Sequence, residues 1–364
     1  MHRFPIFLLS LTLAGGALAQ EGLAPLTTEL EDLSIPLITE QQDVLVPLTT
    51  DQQDVLVPST TEQRNVVAPL TAGQIEAAQY EGVPLPDGRS ALTVKVQILL
   101  DRAGISPGVI DGYKGGMSES AIRAYELREG LFVDGLLDEE VWIGLGGSMG
   151  QAITGTYEIT VEDMEVSAEL SRDYADLAQL EWIGYERVTE RIAEQFHMDE
   201  DFLIALNPDA MFVHGETITI TDPGPDLHAE VARIQIFERR LRAYDAQGNV
   251  VASYPVAVGS LATPSPSGTH TVDAIAIEPT YTYRPDVNFQ QGNNTQAMIL
   301  PPGPNGPVGL VWIDLSKPTY GIHGTPRPSK LFVEQSHGCV RMSNWDAQEL
   351  AHMVGIGIEV EFVE

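Results

Sequence analysis

Cysteine is almost absent from this chain of 364 residues; there is one, Cys339. A lone thiol closes no internal disulfide, so the fold rests on burial and hydrogen bonding, and the thiol needs another explanation. Basic residues are also scarce. Twenty Lys and Arg stand against 52 Asp and Glu, a formal charge of −32, which argues against nucleic-acid or anionic-lipid partners and describes a solvated acidic surface. After the first residues, no run approaches the roughly 18 uninterrupted apolar residues of a membrane-spanning helix. What is present is a 43% hydrophobic composition, enough for real cores and for two or three domains.

The first residues read as an export signal. Met1-His2-Arg3 is a short basic start, Phe4 to Leu13 is largely apolar, and Ala17-Leu18-Ala19 supplies a small-residue cleavage pattern. Residues 1–19 are expected to be removed before Gln20, with no lipid anchor since no cysteine follows. The mature chain is expected in the periplasm or cell envelope, without a membrane span. Prolines then recur at Pro25, Pro36, Pro47, Pro58 and Pro69, every eleven residues. A proline opening each unit breaks any continuous helix. Residues 20–80 are therefore expected to be a mostly disordered stalk, either an envelope tether or a spacer.

Residues 90–146 read as a small helical bundle. Val94, Val96, Leu99 and Leu100 precede a Gly-rich turn; Ala121, Ile122, Ala124, Tyr125 and Leu127 mark a second amphipathic helix. Asp138 is positioned to cap a third. The phrases PGVIDG and LFVDG resemble the three-helix peptidoglycan-binding domain, although Ser118 and Glu126 depart from its usual Thr and Gln. The resemblance implies wall binding; a helical spacer is the alternative. Residues 181–221 suggest helix, helix, strand and resemble the second half of a LysM carbohydrate-binding module, its opening strand missing or degraded in residues 185–189. Glycan binder and connector both remain open.

From residue 231 to 364 the texture changes to strands. Ala232–Phe237 alternates; two strands flank the turn Asp245-Ala246-Gln247-Gly248-Asn249; further strands are expected at 269–277, 308–315, 320–323 and 356–362. Asn344 or Ser343 should cap a helix before the last strand. The fold class expected for the whole is multidomain α+β: a helical bundle, a connector, and a β-rich domain with a mixed sheet or sandwich.

The thiol sits within this last region, two residues after His337 and sixteen after His323. A nucleophilic cysteine needs a base or cation to raise its thiolate fraction. Gly338 precedes it, where the backbone can turn and offer amides to an oxyanion. His323 ends an expected strand, and Gly324 lets a nearby carbonyl accept its other ring proton. Either histidine could be the base on spacing alone. A metal site would need more ligands than His323, His337, Cys339 and the distant His270 readily supply, and no metal or cofactor is expected.

GIHGTPRPS followed by SHGCVRM resembles the signature of the L,D-transpeptidase (YkuD-type) family, and the resemblance extends over residues 231–364. It implies that Cys339 is the nucleophile and His323 the general base, oriented by the Gly324 carbonyl. Ser336 and His337 would shape the site, and the amides of His337, Gly338 and Cys339 would form the oxyanion hole. Arg341 would hold the loop or pair with a substrate carboxylate, and Gly321 would lie on the substrate side. The implied substrate is a peptidoglycan stem peptide: a thioester forms at its third residue, D-alanine leaves, and an amine of a second stem or an anchored envelope protein takes the acyl group. Water as acceptor would make the protein an L,D-carboxypeptidase, and carbapenem-type inhibitors would acylate the same thiol. A non-catalytic wall-binding stalk protein is the reading from another class.

Overall fold

The computed structural model describes residues 69–167 and 169–363. The expected signal peptide and all but the end of the repeat array lie outside these residues. The N-terminal half is helical: α1 (Ala72–Ala77), α2 (Ala91–Arg102), α3 (Gly116–Glu129) and α4 (Glu139–Gly144) precede β1 (Thr154–Glu158). Next come α5 (Tyr174–Leu177), α6 (Val188–Gln195), α7 (Glu200–Leu206) and β2 (Thr217–Thr221). The C-terminal half comprises β3 (Arg233–Phe237), β4 (Arg240–Tyr244), β5 (Val250–Pro255), β6 (Gly268–Ile277), β7 (Tyr281–Tyr283), β8 (Met298–Leu300), β9 (Val311–Leu315), β10 (Gly321–His323), β11 (Val340–Arg341), α8 (Asn344–Met353) and β12 (Glu359–Val363).

Two expectations for the N-terminal half change. Residues 72–77, expected inside the stalk, form α1. A capping box between Thr71 and Gln74 starts the helix, and the fully buried Ile75 joins it to the helical core. The opening strand thought lost from residues 185–189 exists farther upstream. It is β1, paired antiparallel with β2 from Thr154↔Thr221 to Glu158↔Thr217. Residues 159–187, between β1 and α6, are an insertion in a strand–helix–helix–strand unit.

The bundle forms as its caps dictate. Ser90 and Asp138 side chains accept from the third amide of α2 and α4, and Gly130 ends α3 in the left-handed region at φ +69°. The two departures from the peptidoglycan-binding pattern are structural fixtures. Ser118 accepts from Gln97 Nε2 at 3.0 Å, and buried Glu126 accepts the amides of Asp134 and Gly135 at 3.0 and 2.8 Å.

An eight-stranded mixed sheet, in the order β11-β10-β9-β6-β12-β3-β4-β5, organises the C-terminal half. Only the β10–β11 and β12–β3 pairs are parallel. Alternating Ile234, Ile236, Leu241, Ala243, Ile313, Leu315, Val360 and Phe362 build its core with Leu350 and Met353 of α8. Ser343 is the α8 cap, accepting from the Asp346 amide at 3.1 Å. The free edge of β5 is covered by the helical bundle: Ser106 N–H donates to Ser253 O at 2.9 Å and Ser253 N–H to Gly104 O at 2.8 Å. Buried Arg240 reaches across to Ser106 O at 2.9 Å. A third core joins the insertion to the β7–β8 hairpin, with Leu177 and Ile183 against Tyr283 and Leu300.

Candidate functional site

The sheet register brings the chemistry together. In the β10–β11 ladder Ile322 pairs with Val340 and His323 with Arg341. Because neighbours on a strand face opposite ways, Ile322 and Val340 enter the core, fully buried, while His323 and Arg341 share the other face. Cys339, two residues before Arg341, falls on that face too. All three line one cleft of about 450 Å³, together with His337, Ser336, Trp312, Tyr320 and Arg327. Tyr281 and Phe289 from the β7–β8 hairpin and Tyr174 from α5 close its far side.

His323 is buried and stacked on Trp312. Its Nδ1 lies 2.7 Å from the Gly324 carbonyl oxygen. A carbonyl only accepts, so Nδ1 carries the proton and Nε2 is left as a lone-pair acceptor in the cleft. Burial pushes the imidazole pKa down to about 4, assisted by repulsion from Arg341 and opposed by the Gly324 hydrogen bond. The ring is therefore neutral at physiological pH. Burial likewise pushes the Cys339 thiol up, with Arg341 acting in the opposite direction. The thiol donates to the Thr319 carbonyl at 3.7 Å.

The loop before Cys339 is tied at Ser336 and Gly338. Ser336 N–H donates to Val258 O at 2.9 Å, and the Ser336 hydroxyl donates to the Cys339 carbonyl. Ser265 Oγ donates to Gly338 O at 2.8 Å and accepts from Gly259 N–H at 2.8 Å. Gly338 sits at φ +120°, where a Cβ would come within 2.7 Å of Tyr320, so glycine is required there. The Gly338 amide donates to Ser336 Oγ at 3.0 Å, while the amides of His337 and Cys339 are unpartnered among the described residues. His337 is exposed and stacks on Phe289 at a centroid distance of 4.7 Å. Arg341 Nη2 holds the Gln335 carbonyl, while its buried Nε has no partner among the described residues. Gly321 is packed against Trp312, which a Cβ would meet at 2.6 Å, and its backbone hydrogen-bonds the Cys339 sulfur. His270 lies on β6, paired with Val360 and outside the cleft.

The β7–β8 hairpin and Tyr174 are contributors that the sequence did not reveal. Tyr174 meets Tyr281, Tyr283 and Phe289 edge to face. Gln291 and Asn294, in the hairpin loop, bond to Arg172 O and Asp173 Oδ1, each at 2.7 Å. The insertion therefore braces the hairpin over the cleft.

With this geometry in view, comparison with known proteins is specific. Residues 230–361 match the L,D-transpeptidase catalytic domain, and residues 89–143 match a putative peptidoglycan binding domain. A putative L,D-transpeptidase YkuD of Bacillus licheniformis is 34% identical over 177 residues, covering 47% of this chain and 90% of that protein. A probable L,D-transpeptidase YbiS of Escherichia coli is 28% identical over 189 residues; the chain spans 61% of that protein's length and the match takes in 50% of the chain. Among solved structures, the L,D-transpeptidase of Xylanimonas cellulosilytica aligns over 79% of this chain and 100% of its own, with 14% identity and a TM-score of 0.35. The chain belongs to the L,D-transpeptidase family. The LysM-like reading of residues 181–221 has no counterpart in these matches.

Proposed function

We propose that the protein is a peptidoglycan L,D-transpeptidase of the cell envelope in which Cys339 carries the acyl group. The observation that supports this most is the tautomer of His323: Nδ1–H on the Gly324 carbonyl, Nε2 open to the cleft that holds the thiol. Nε2 takes the Sγ proton as sulfur attacks the carbonyl carbon of the stem's third residue. The oxyanion develops toward the His337 and Cys339 amides. As the tetrahedral species collapses, the C–N bond breaks, D-alanine leaves with the proton held on His323, and a thioester remains. An acceptor amine, losing its proton to Nε2, then attacks the thioester; an amide forms and the thiol is regenerated.

Arg341, with its buried Nε unpartnered among the described residues and its place beside His323, suits a carboxylate of the donor stem. The peptidoglycan-binding domain, packed onto β5, would hold the cleft against the wall polymer. A carbapenem-type β-lactam, an acyl donor that also presents a carboxylate, is expected to acylate Cys339. Incubation of the protein with tetrapeptide muropeptides and mass spectrometry of the products tests the proposal. D-alanine release with dimers supports transfer, release with tripeptide alone supports the carboxypeptidase reading, and no release refutes both.

A further inference from the structure

Helix α6 belongs to the upstream unit, outside the matched catalytic domain, yet two of its carboxyl groups are buried against that domain. Glu190 and Glu194 lie one turn apart, and each accepts from an asparagine carboxamide. Asn305 Nδ2 donates to Glu190 Oε1 at 2.8 Å, and Asn344 Nδ2 to Glu194 Oε2 at 3.0 Å. Arg187 Nη2 lies 3.4 Å from Glu190 Oε2, but Glu194 has no ion-pair partner among the described residues, and a buried carboxyl without one is costly to fold around. Burial holds the Glu194 carboxyl up at about 8, and Tyr185 OH is its other hydrogen-bond donor, at 3.3 Å. A leucine in its place would suit the core better, so the choice of Glu points to what it holds.

It holds Asn344, which is 1% exposed at the start of α8. The Asn344 amide also donates to Pro304 O at 3.2 Å, and its Oδ1 accepts from Leu310 N–H at 3.2 Å. That Oδ1 is wedged against two glycines: a Cβ on Gly309 or Gly324 would lie 2.1 or 2.2 Å from it. Gly324 carries the carbonyl that orients His323 at 2.7 Å. Carboxyl, carboxamide, peptide and imidazole are thus in direct sequence.

We infer that Glu194 is a positioning residue for His323, acting through Asn344 and Gly324, so that the upstream unit is part of the catalytic apparatus. The inference rests on His323 being the base of the proposed reaction. Loss of the Glu194 acceptor leaves the Asn344 amide only its bond to Pro304 O, lets Oδ1 shift against Gly324, and unsettles the carbonyl that fixes the tautomer. Substrate contacts are untouched, so the effect falls on kcat.

The test is steady-state D-alanine release by the full chain, with Tm measured alongside. E194A should lower kcat on the order of tenfold with KM within about twofold, as small displacements of a base do. E194Q, which keeps an acceptor, should restore kcat to within about threefold of the parent. E194A/N344A should be no slower than the slower single variant, because both act on one link. Parent-like kcat in E194A at parent-like Tm, or losses that multiply in the double variant, would overturn the inference. Should E194A fail to fold, N344A with Glu194 in place must show the same kcat loss; a parent-like value there overturns it equally. A parent protein that releases no D-alanine refutes the proposed reaction instead, so the two failures are distinct.

Discussion

His323 directs its Nδ1 proton at the carbonyl of its own neighbour, Gly324, across 2.7 Å. This contact, made by main chain and not by a serine or carboxylate side chain, places the ring proton on Nδ1 and leaves Nε2 the acceptor nitrogen of a neutral imidazole. Because burial lowers the imidazole pKa, the protonation state of the resting site follows directly.

The pH dependence of kcat/KM should reflect this. A base is active above its pKa, so activity should hold through neutral pH and fall only as pH drops through about 4, below the usual histidine range near 6.5. The thiol, raised by burial, should give no thiolate absorbance at neutral pH and acquire it only above the ordinary cysteine range. An acid limb near 6.5, or thiolate absorbance at pH 7, would show a preformed ion pair.

Gly324→Ala places a methyl carbon 2.2 Å from Asn344 Oδ1. Overpacking of this kind should cost about 1–3 kcal/mol of stability and displace the orienting carbonyl. Thermal melting should show the first effect and a fall in kcat the second.

Ile183 is fully buried beneath the β7–β8 hairpin, with Leu177, Tyr283 and Leu300. Ile183→Ala should destabilise this third core by about 2–5 kcal/mol. The loss is local, so KM should rise and limited proteolysis should accelerate within residues 284–297, while the Cys339 loop keeps its reactivity.

Stability should also respond to the buried carboxyls between the upstream unit and α8. Glu194 and Asp346 are raised to about 8 and about 7 by burial, above their unfolded values of 4.5 and 3.8. The folded state then binds more protons between these limits, so this contribution is fully present only below the unfolded values of 4.5 and 3.8 and is lost progressively as pH rises from there to about 7 and about 8. Gln at 194 and Asn at 346 should flatten the dependence of Tm on pH over that window.

The candidate site residues that the fold gathers into one cleft were legible because their signals are local. A glycine before a lone cysteine and a histidine ending a short strand need no distant partner to be noticed, and the turn Asp245 to Asn249 places β4 and β5 by itself. The features missed depend on separation. Strand β1 pairs with β2 some sixty residues on, so the helix–helix–strand stretch looked truncated. β7 and β8 are three residues each, too short for alternation to register, and the loop between them is rich in Asn and Gln. Glu194, on a short polar helix, reads as a solvated charge; its partner Asn344 is 150 residues away. The bond from the Gly338 amide to Ser336 Oγ was not legible either, because it depends on a turn the sequence does not define.

The most direct test is intact-protein mass spectrometry of the parent and Cys339→Ala, each mixed with tetrapeptide muropeptides and quenched in acid. The parent should carry an adduct of one donor stem minus D-alanine, sensitive to hydroxylamine as a thioester is, and the Ala variant none at an unchanged Tm. An adduct or D-alanine release that survives in Cys339→Ala would contradict the assignment of the thiol.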